Sequence, residues 1–336
     1  TDSGTVTVGG NLAATTDDNN GVITLDTLAV TGTIALATNS GGAAIIVNAS
    51  GLNLATSTLT GTFSGTATTG DITDSGTLTI TGAATFITAV DGSNIILDSS
   101  GNAYAAQVSL LADTGGSETF GNITFVDSAG VDLDTSASAD GDLFINAGTD
   151  GAVGGNLSIT ATTGNITQVV ALAVTGTTTL VTSANDATIT LGSANVFTGA
   201  LTITTNDASG TDADVTIDNG TTALIIAAST IDGDLTLTSG NASGITDSGT
   251  VTVGGNLAAT TDDNNGVINM GTLAVDGTIA LTTNGSGAAT VVNDAGLAFA
   301  ASTVTGALSA TATTGNITQS GVLTISGTTT LVTSAN

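Results

Sequence analysis

The stretch SGVLTISGTTTLVT, from Ser320 to Thr333, places Leu323, Ile325, Gly327, Thr329 and Leu331 at every second position, with polar or small residues between. The same frame recurs as Val6, Val8, Gly10, Leu12, Ala14 and as Leu28, Val30, Gly32, Ile34, Leu36. Further copies centre on Gly82, Gly176, Gly255 and Gly277. A period of two belongs to a strand with one buried face. A glycine in the inward set, between two apolar pairs, marks a place where the strand can bend, because no Cβ resists it. Each copy therefore reads as two short strands meeting at a corner.

The copies are organised at two scales. Thr1 to Ile23 and Thr246 to Ile268 are identical, and 62 of 91 positions agree without a gap between 1–91 and 246–336, at an offset of 245. That is duplication of a large block. Within it, spacings between corner glycines fit units of roughly 22 to 25 residues, in the range of solenoid repeats. A second landmark, TATTGDIT from Thr66 to Thr73, returns as TATTGNIT from Thr160 and from Thr311. Gly-Asn or Gly-Asp before Ile-Thr is a turn that opens a strand. Three short strands plus turns make one circuit of a parallel β-helix, and about 14 such coils fill the chain. The expectation is an all-β fold, a right-handed parallel β-helix running through 1–336 as one continuous β-solenoid. Antiparallel sandwich modules are the alternative, but their strands need not resemble one another at a fixed spacing. The section from about Asp98 to Ala161 follows the frame less well and holds Tyr104, Phe120, Phe125, Phe144 and the one glutamate, Glu118. Longer turns or a bulged coil, with aromatics filling a wider core, are expected there.

Composition excludes several kinds of chemistry. Lysine, arginine, histidine, proline, cysteine and tryptophan are absent, and 28 acids leave a formal charge of −28. Neutralising phosphates requires Lys and Arg, so nucleic acid is excluded as a partner. Anionic lipid is excluded for the same reason, and no apolar run is long enough for membrane insertion as a helix. Nucleophilic triads, zinc sites, phosphate loops and arginine fingers all need side chains that the chain lacks. A carbohydrate-cleaving β-helix would need paired carboxylates in a cleft that normally carries aromatics, and aromatics are 2% of this chain.

Calcium is the one candidate ligand, since dense hard-oxygen donors suit it. Asp132, Asp134, Asp140 and Asp142 flank one turn region and Asp212, Asp214 and Asp218 another. Neither stretch matches an EF-hand or a calcium β-roll, and alternating Asp on a strand is more often a solvated face. Asp17 to Gly21 and its copy Asp262 to Gly266 read as a surface turn. Asn122, Asn165 and Asn316 head Asn-x-Thr sequons, and for the last two the repeated strand-opening turn is the expected reason. Threonine runs such as Thr177 to Thr179 resemble the flat faces of ice-binding solenoids. Such a face needs Thr at one spot in consecutive coils, and here the copies look scattered.

The segment GNLSITATTGNITQ, Gly155 to Gln168, together with SGVLTISGTTTLVT, resembles the shaft repeats of filamentous-haemagglutinin-like secreted bacterial adhesins. That resemblance implies a secreted, cell-surface, fibrous role without enzymatic activity. The amino-terminal secretion domain of that family carries an Asn-Pro motif, and this chain has no proline. The resemblance is therefore to the shaft alone. The expected function is a non-enzymatic structural segment of an extracellular fibre, adhesin shaft or sheath, with calcium-stabilised β-sandwich adhesin modules as the alternative. No cofactor is expected to be required. Expected partners are further coils, by end-to-end self-association or continuation in a longer chain, and a host or neighbouring-cell surface or matrix polysaccharide.

Overall fold

Each glycine-centred frame splits where its glycine stands. Val6–Val8 is followed by Leu12–Thr15, Leu78–Ile80 by Ala84–Thr88, and Val251–Val253 by Leu257–Thr261. The computed structural model describes residues 1–112, 121–134, 143–146, 152–206 and 212–334. Among these, every regular element is a strand. The strands pair in parallel from one coil to the next: Val6 opposes Leu28, and Leu12 opposes Ile34. The fold is a parallel β-solenoid of about 14 turns in all. Sandwich modules are thereby overturned, because hairpins would pair neighbouring strands antiparallel.

Two compact units divide the turns. One comprises Thr1–Thr163 with Ala173–Thr175, the other Gly164–Leu172 with Gly176–Asn336. The two copies of the duplicated block fall one in each.

In the first unit, inward positions of successive coils stack into columns. One column runs Ile23, Ala44, Phe63, Ala84, Val108, and its neighbour runs Ile46, Gly65, Phe86, Leu110. Large and small alternate: Phe63 lies beside Gly65, and Ala84 beside Phe86 in the next coil. A Cβ on Gly65 would sit 2.7 Å from the Phe63 ring, so that glycine is room for the aromatic. Phe63 and Phe86 pack with centroids 5.2 Å apart, Phe86 meets Tyr104 edge-on at 6.4 Å, and Tyr104 stacks on Phe125 at 5.0 Å. The second unit has a more uniform column, aliphatic through Ile189, Val215, Leu235, Leu257 and Ile279 before it reaches Phe299. All are 1% exposed or less. Burying each such side chain contributes about 1.5–3 kcal/mol.

Coil length departs from the expected unit in both directions. Short coils bring Ala44 against Phe63 and Ala289 against Leu308. In the less regular section the coils are long, and Ile95 pairs with Ile123, Val108 with Leu143, and Ile123 with Leu157. The lengthened coils are where irregularity was expected, and Tyr104 and Phe125 join the aromatic stack there. Glu118 and Phe120 lie outside the described residues, and of Phe144 only the strand position, in Leu143–Asn146, is described.

The corner glycines need a corrected explanation. They are half-exposed or exposed rather than inward, and none adopts a positive φ. What they provide is close approach between coils. A Cβ on Gly82 would lie 2.4 Å from the Gly61 carbonyl carbon, and one on Gly277 would lie 2.4 Å from the Gly255 oxygen. Glycine thus stands over glycine, and Gly277 N–H donates to the Gly255 carbonyl at 3.0 Å.

Candidate functional site

The polar residues that matter most hold one coil to the next. The Gly-Asn/Asp-Ile-Thr landmark is the visible part of a side-chain ladder at one corner. In the first unit Asp71 Oδ1 accepts the Asn94 N–H at 2.7 Å, Asn94 Oδ1 accepts that of Asn122 at 2.8 Å, and Asn122 Oδ1 accepts that of Asn156 at 2.8 Å. In the second unit Asp214, Asp234 and Asn256 do the same, ending on the Thr278 N–H. Asn165 belongs to the same pattern through its bond from the Thr188 N–H. Two of the sequon asparagines, Asn122 and Asn165, therefore have a structural role in the turn.

A second device is the TDSG motif. Asp2 Oδ2 accepts both the N–H and the hydroxyl of Thr27, and Asp247 Oδ2 accepts both from Thr272. Asp74 accepts the N–H groups of Asp98 and Ser99 and the amide of Asn102. Desolvation alone would raise the Asp2 carboxyl, but the bonds from Thr27 and Asp26 outweigh it and hold it below the ordinary carboxylate range.

The third device was missed from sequence: asparagines inside the core. Asn48 Oδ1 accepts the Val30 N–H at 2.9 Å, and its Nδ2 donates to the carbonyls of Val30 and Gly51. Asn293 does the same for Val275 and Gly296. Asn195 and Asn219 bind the backbone at Leu172 and Phe197. The signal was present, since Asn48 follows Ala44 and Ile46 in the inward frame. Losing such a buried partner costs about 1–3 kcal/mol.

The expected calcium ligands have varied placements. Asp132 and Asp134 lie in the strand Val131–Asp134, whereas Asp140 and Asp142 are outside the described residues. Asp214 is a ladder rung, Asp212 offers its carbonyl to the Asp214 N–H, and Asp218 Oδ1 accepts the Gly220 N–H at 2.8 Å. Among the described residues no three acidic side chains gather into a cage for an ion.

One buried polar cluster lies in the aromatic stack. The Tyr104 hydroxyl is buried without a hydrogen-bond partner. Burial first, then the charges of Asp74 and Asp127, push its phenol well above the ordinary range. Burial also raises the Asp127 carboxyl, only partly offset by N–H bonds from Ala129, Tyr104 and Ser128.

On the surface, the Asp17 and Asp262 segments are turns as expected, with Asn20 and Asn265 in the left-handed region at φ 56° and 58°. The threonines are less scattered than they look. Thr238, Thr260, Thr282, Thr303 and Thr324 stand in register on five consecutive coils. The neighbouring outward column reads Thr236, Ala258, Ala280, so the hydroxyls form a single file. Each unit also carries a shallow groove at the corner of its duplicated block. One is about 380 Å³, the other about 260 Å³.

The model of a family described as repeats of unknown function (DUF5649) matches residues 41–111, 140–204, 212–262 and 286–336, well over half of the chain. No curated protein and no solved structure is detectably similar to it.

Proposed function

The chain belongs to this family of repeats, and from that premise we propose that it is a non-enzymatic structural segment of an extracellular fibre, adhesin shaft or sheath. The observation that carries this reading is the coil-to-coil bonding. Ladders such as Asp71–Asn94–Asn122–Asn156 use the polar side chains to join neighbours. A repeat held this way gains stability nearly in proportion to its length, as a fibre requires. The absence of any basic side chain supports the non-enzymatic part, because it leaves carboxylates alone, and the aromatics that normally line a carboxylate-pair cleft are 2% of the chain. In this reading further coils of the same kind are the main partners, no cofactor is required, and calcium acts by screening charge.

An antibody raised against the chain tests the setting. It labels fibres outside the cells of the source organism, visible by immunogold electron microscopy. Label confined to the cytosol, with no extended material, would overturn the proposal. A melting curve in EDTA tests the cofactor: unchanged unfolding is expected, and collapse of the fold would show that an ion is required.

A further inference from the structure

The groove occurs twice because the block does. Every residue lining the second groove stands 245 places after one lining the first. Its origin is a mismatch in coil length. Val8 pairs with Val30 across a coil of the usual length. In the coils that follow, Thr33 meets Asn53 and Ala44 meets Phe63 after distinctly less chain. The second unit repeats this where Thr278 meets Ala298 and Ala289 meets Leu308. The buried Asn48 and Asn293 hold the turn of the short coil through bonds to Val30 and Gly51 and to Val275 and Gly296. Gly32 and Gly51 line the hollow in one unit and Gly277 and Gly296 in the other.

Polar side chains form part of each wall, beside Val30 and Leu52 in one and Val275 and Leu297 in the other. Thr33, Asn53, Asp71 and Thr73 line the first groove, and Asn53 Oδ1 is a buried acceptor without a donor. Asp276, Asn316 and Thr318 line the second. Each groove holds one carboxylate, but at different places: Asp71 where the copy has Asn316, and Asp276 where the first has Thr31. With no base in the chain, an anionic ligand is repelled. A ligand bearing hydroxyls and an ammonium group meets hydroxyls, amide oxygen and a carboxylate, all able to accept its protons.

We propose that each groove binds one sugar unit of an amino-sugar glycan, giving two sites per chain. The biological setting rests on the extracellular reading above, while the binding itself does not. The test titrates the whole chain with a glucosamine tetramer, cellotetraose and a galacturonate tetramer, followed by calorimetry and NMR. The glucosamine tetramer binds at two sites with a dissociation constant of about 1 mM, as suits shallow grooves. Cellotetraose binds roughly tenfold more weakly and the galacturonate tetramer does not bind. Thr31 and Asp276 are equivalent, exposed positions, so Thr31→Trp and Asp276→Trp each fill one groove while leaving the core alone. Each single variant loses one site, and the double variant loses both, with circular dichroism verifying the fold. No binding of the glucosamine tetramer at about 10 mM would overturn the proposal. So would binding that survives in the folded double variant, which would be attraction to the overall negative charge. Equal affinity for cellotetraose would overturn the role of the ammonium group. Absence of fibres under the microscope would leave these titrations unaffected, so the two proposals fail separately.

Discussion

Val6 and Val251 hold the same place in the same repeated segment, yet Val251 is 0% exposed and Val6 is only half-buried. Leu12 and Leu257 differ in the same way. Val251 pairs with Ser229 on one side and Leu273 on the other, whereas the pairing of Val6 is with Leu28. The contrast teaches that burial in this fold does not belong to a coil. It is conferred by the coil on either side.

The largest expected effect tests that statement directly. Leu257→Ala removes a side chain packed between Leu235 and Ile279 and costs about 2–5 kcal/mol of stability. In a chain that starts at Thr1, Leu12→Ala costs well under half as much. Urea unfolding of the two variants, followed by circular dichroism, measures the difference. Equal losses would show that neighbouring coils do not set the energy.

Next comes the glycine pair. A Cβ on Gly255 would fall 2.3 Å from Asp234 Oδ1 and 2.7 Å from the Gly233 carbonyl carbon, while one on Gly10 would meet nothing within 4 Å. Gly255→Ala therefore destabilises by about 1–3 kcal/mol through crowding. In a chain that starts at Thr1, Gly10→Ala stays within about 0.5 kcal/mol of the parent. Thermal melts decide, and a similar loss in both would return the explanation to backbone bending.

A smaller effect contrasts two acids by pH. The Asp2 carboxyl is held low, so its stabilising contribution is present above the unfolded value and is lost as pH falls through the lower folded value. Asp127 is raised by burial, so it favours the fold most below the unfolded value and loses that contribution as pH rises through the higher folded value. Asp127→Asn accordingly raises the melting temperature at neutral pH, with a gain that fades toward about pH 4, whereas Asp2→Asn lowers it. Melting curves of both variants from about pH 4 to 7 measure this. Parallel shifts in the two would mean that their surroundings do not differ as described.

The smallest effect is common to both copies. Sodium chloride or millimolar calcium raises the melting temperature by a few degrees, because it screens 28 acids that have no internal cation. The gaps between the Leu257 and Leu12 variants, and between the Gly255 and Gly10 variants, persist in salt. A gap that closed would make that difference electrostatic rather than one of packing.

Much of this architecture was legible in the residues. Alternation about Gly82 and Gly255 placed strand pairs and their corners, because a strand shows its two faces at every second residue whatever lies around it. The TATTGDIT landmark located the ladder turn, although the role of Asp71 as an acceptor for the next coil was hidden. A side chain's partner in the next coil leaves no local mark. For the same reason the bond from the Asp234 N–H to Asp214, grouped with Asp212 and Asp218 as a candidate calcium ligand, left no sign in the sequence. The grooves were invisible, since they arise from a difference in length between adjacent coils.

What the sequence determined by itself is the period, the inward face and the duplicated block, all of them set by spacing along one strand or by identity between segments. Only the tertiary structure decided which glycines are crowded, which asparagines are buried and where a short coil leaves a hollow. Those are properties of the gap between coils. That gap depends on two lengths of chain at once, and neither length specifies it alone.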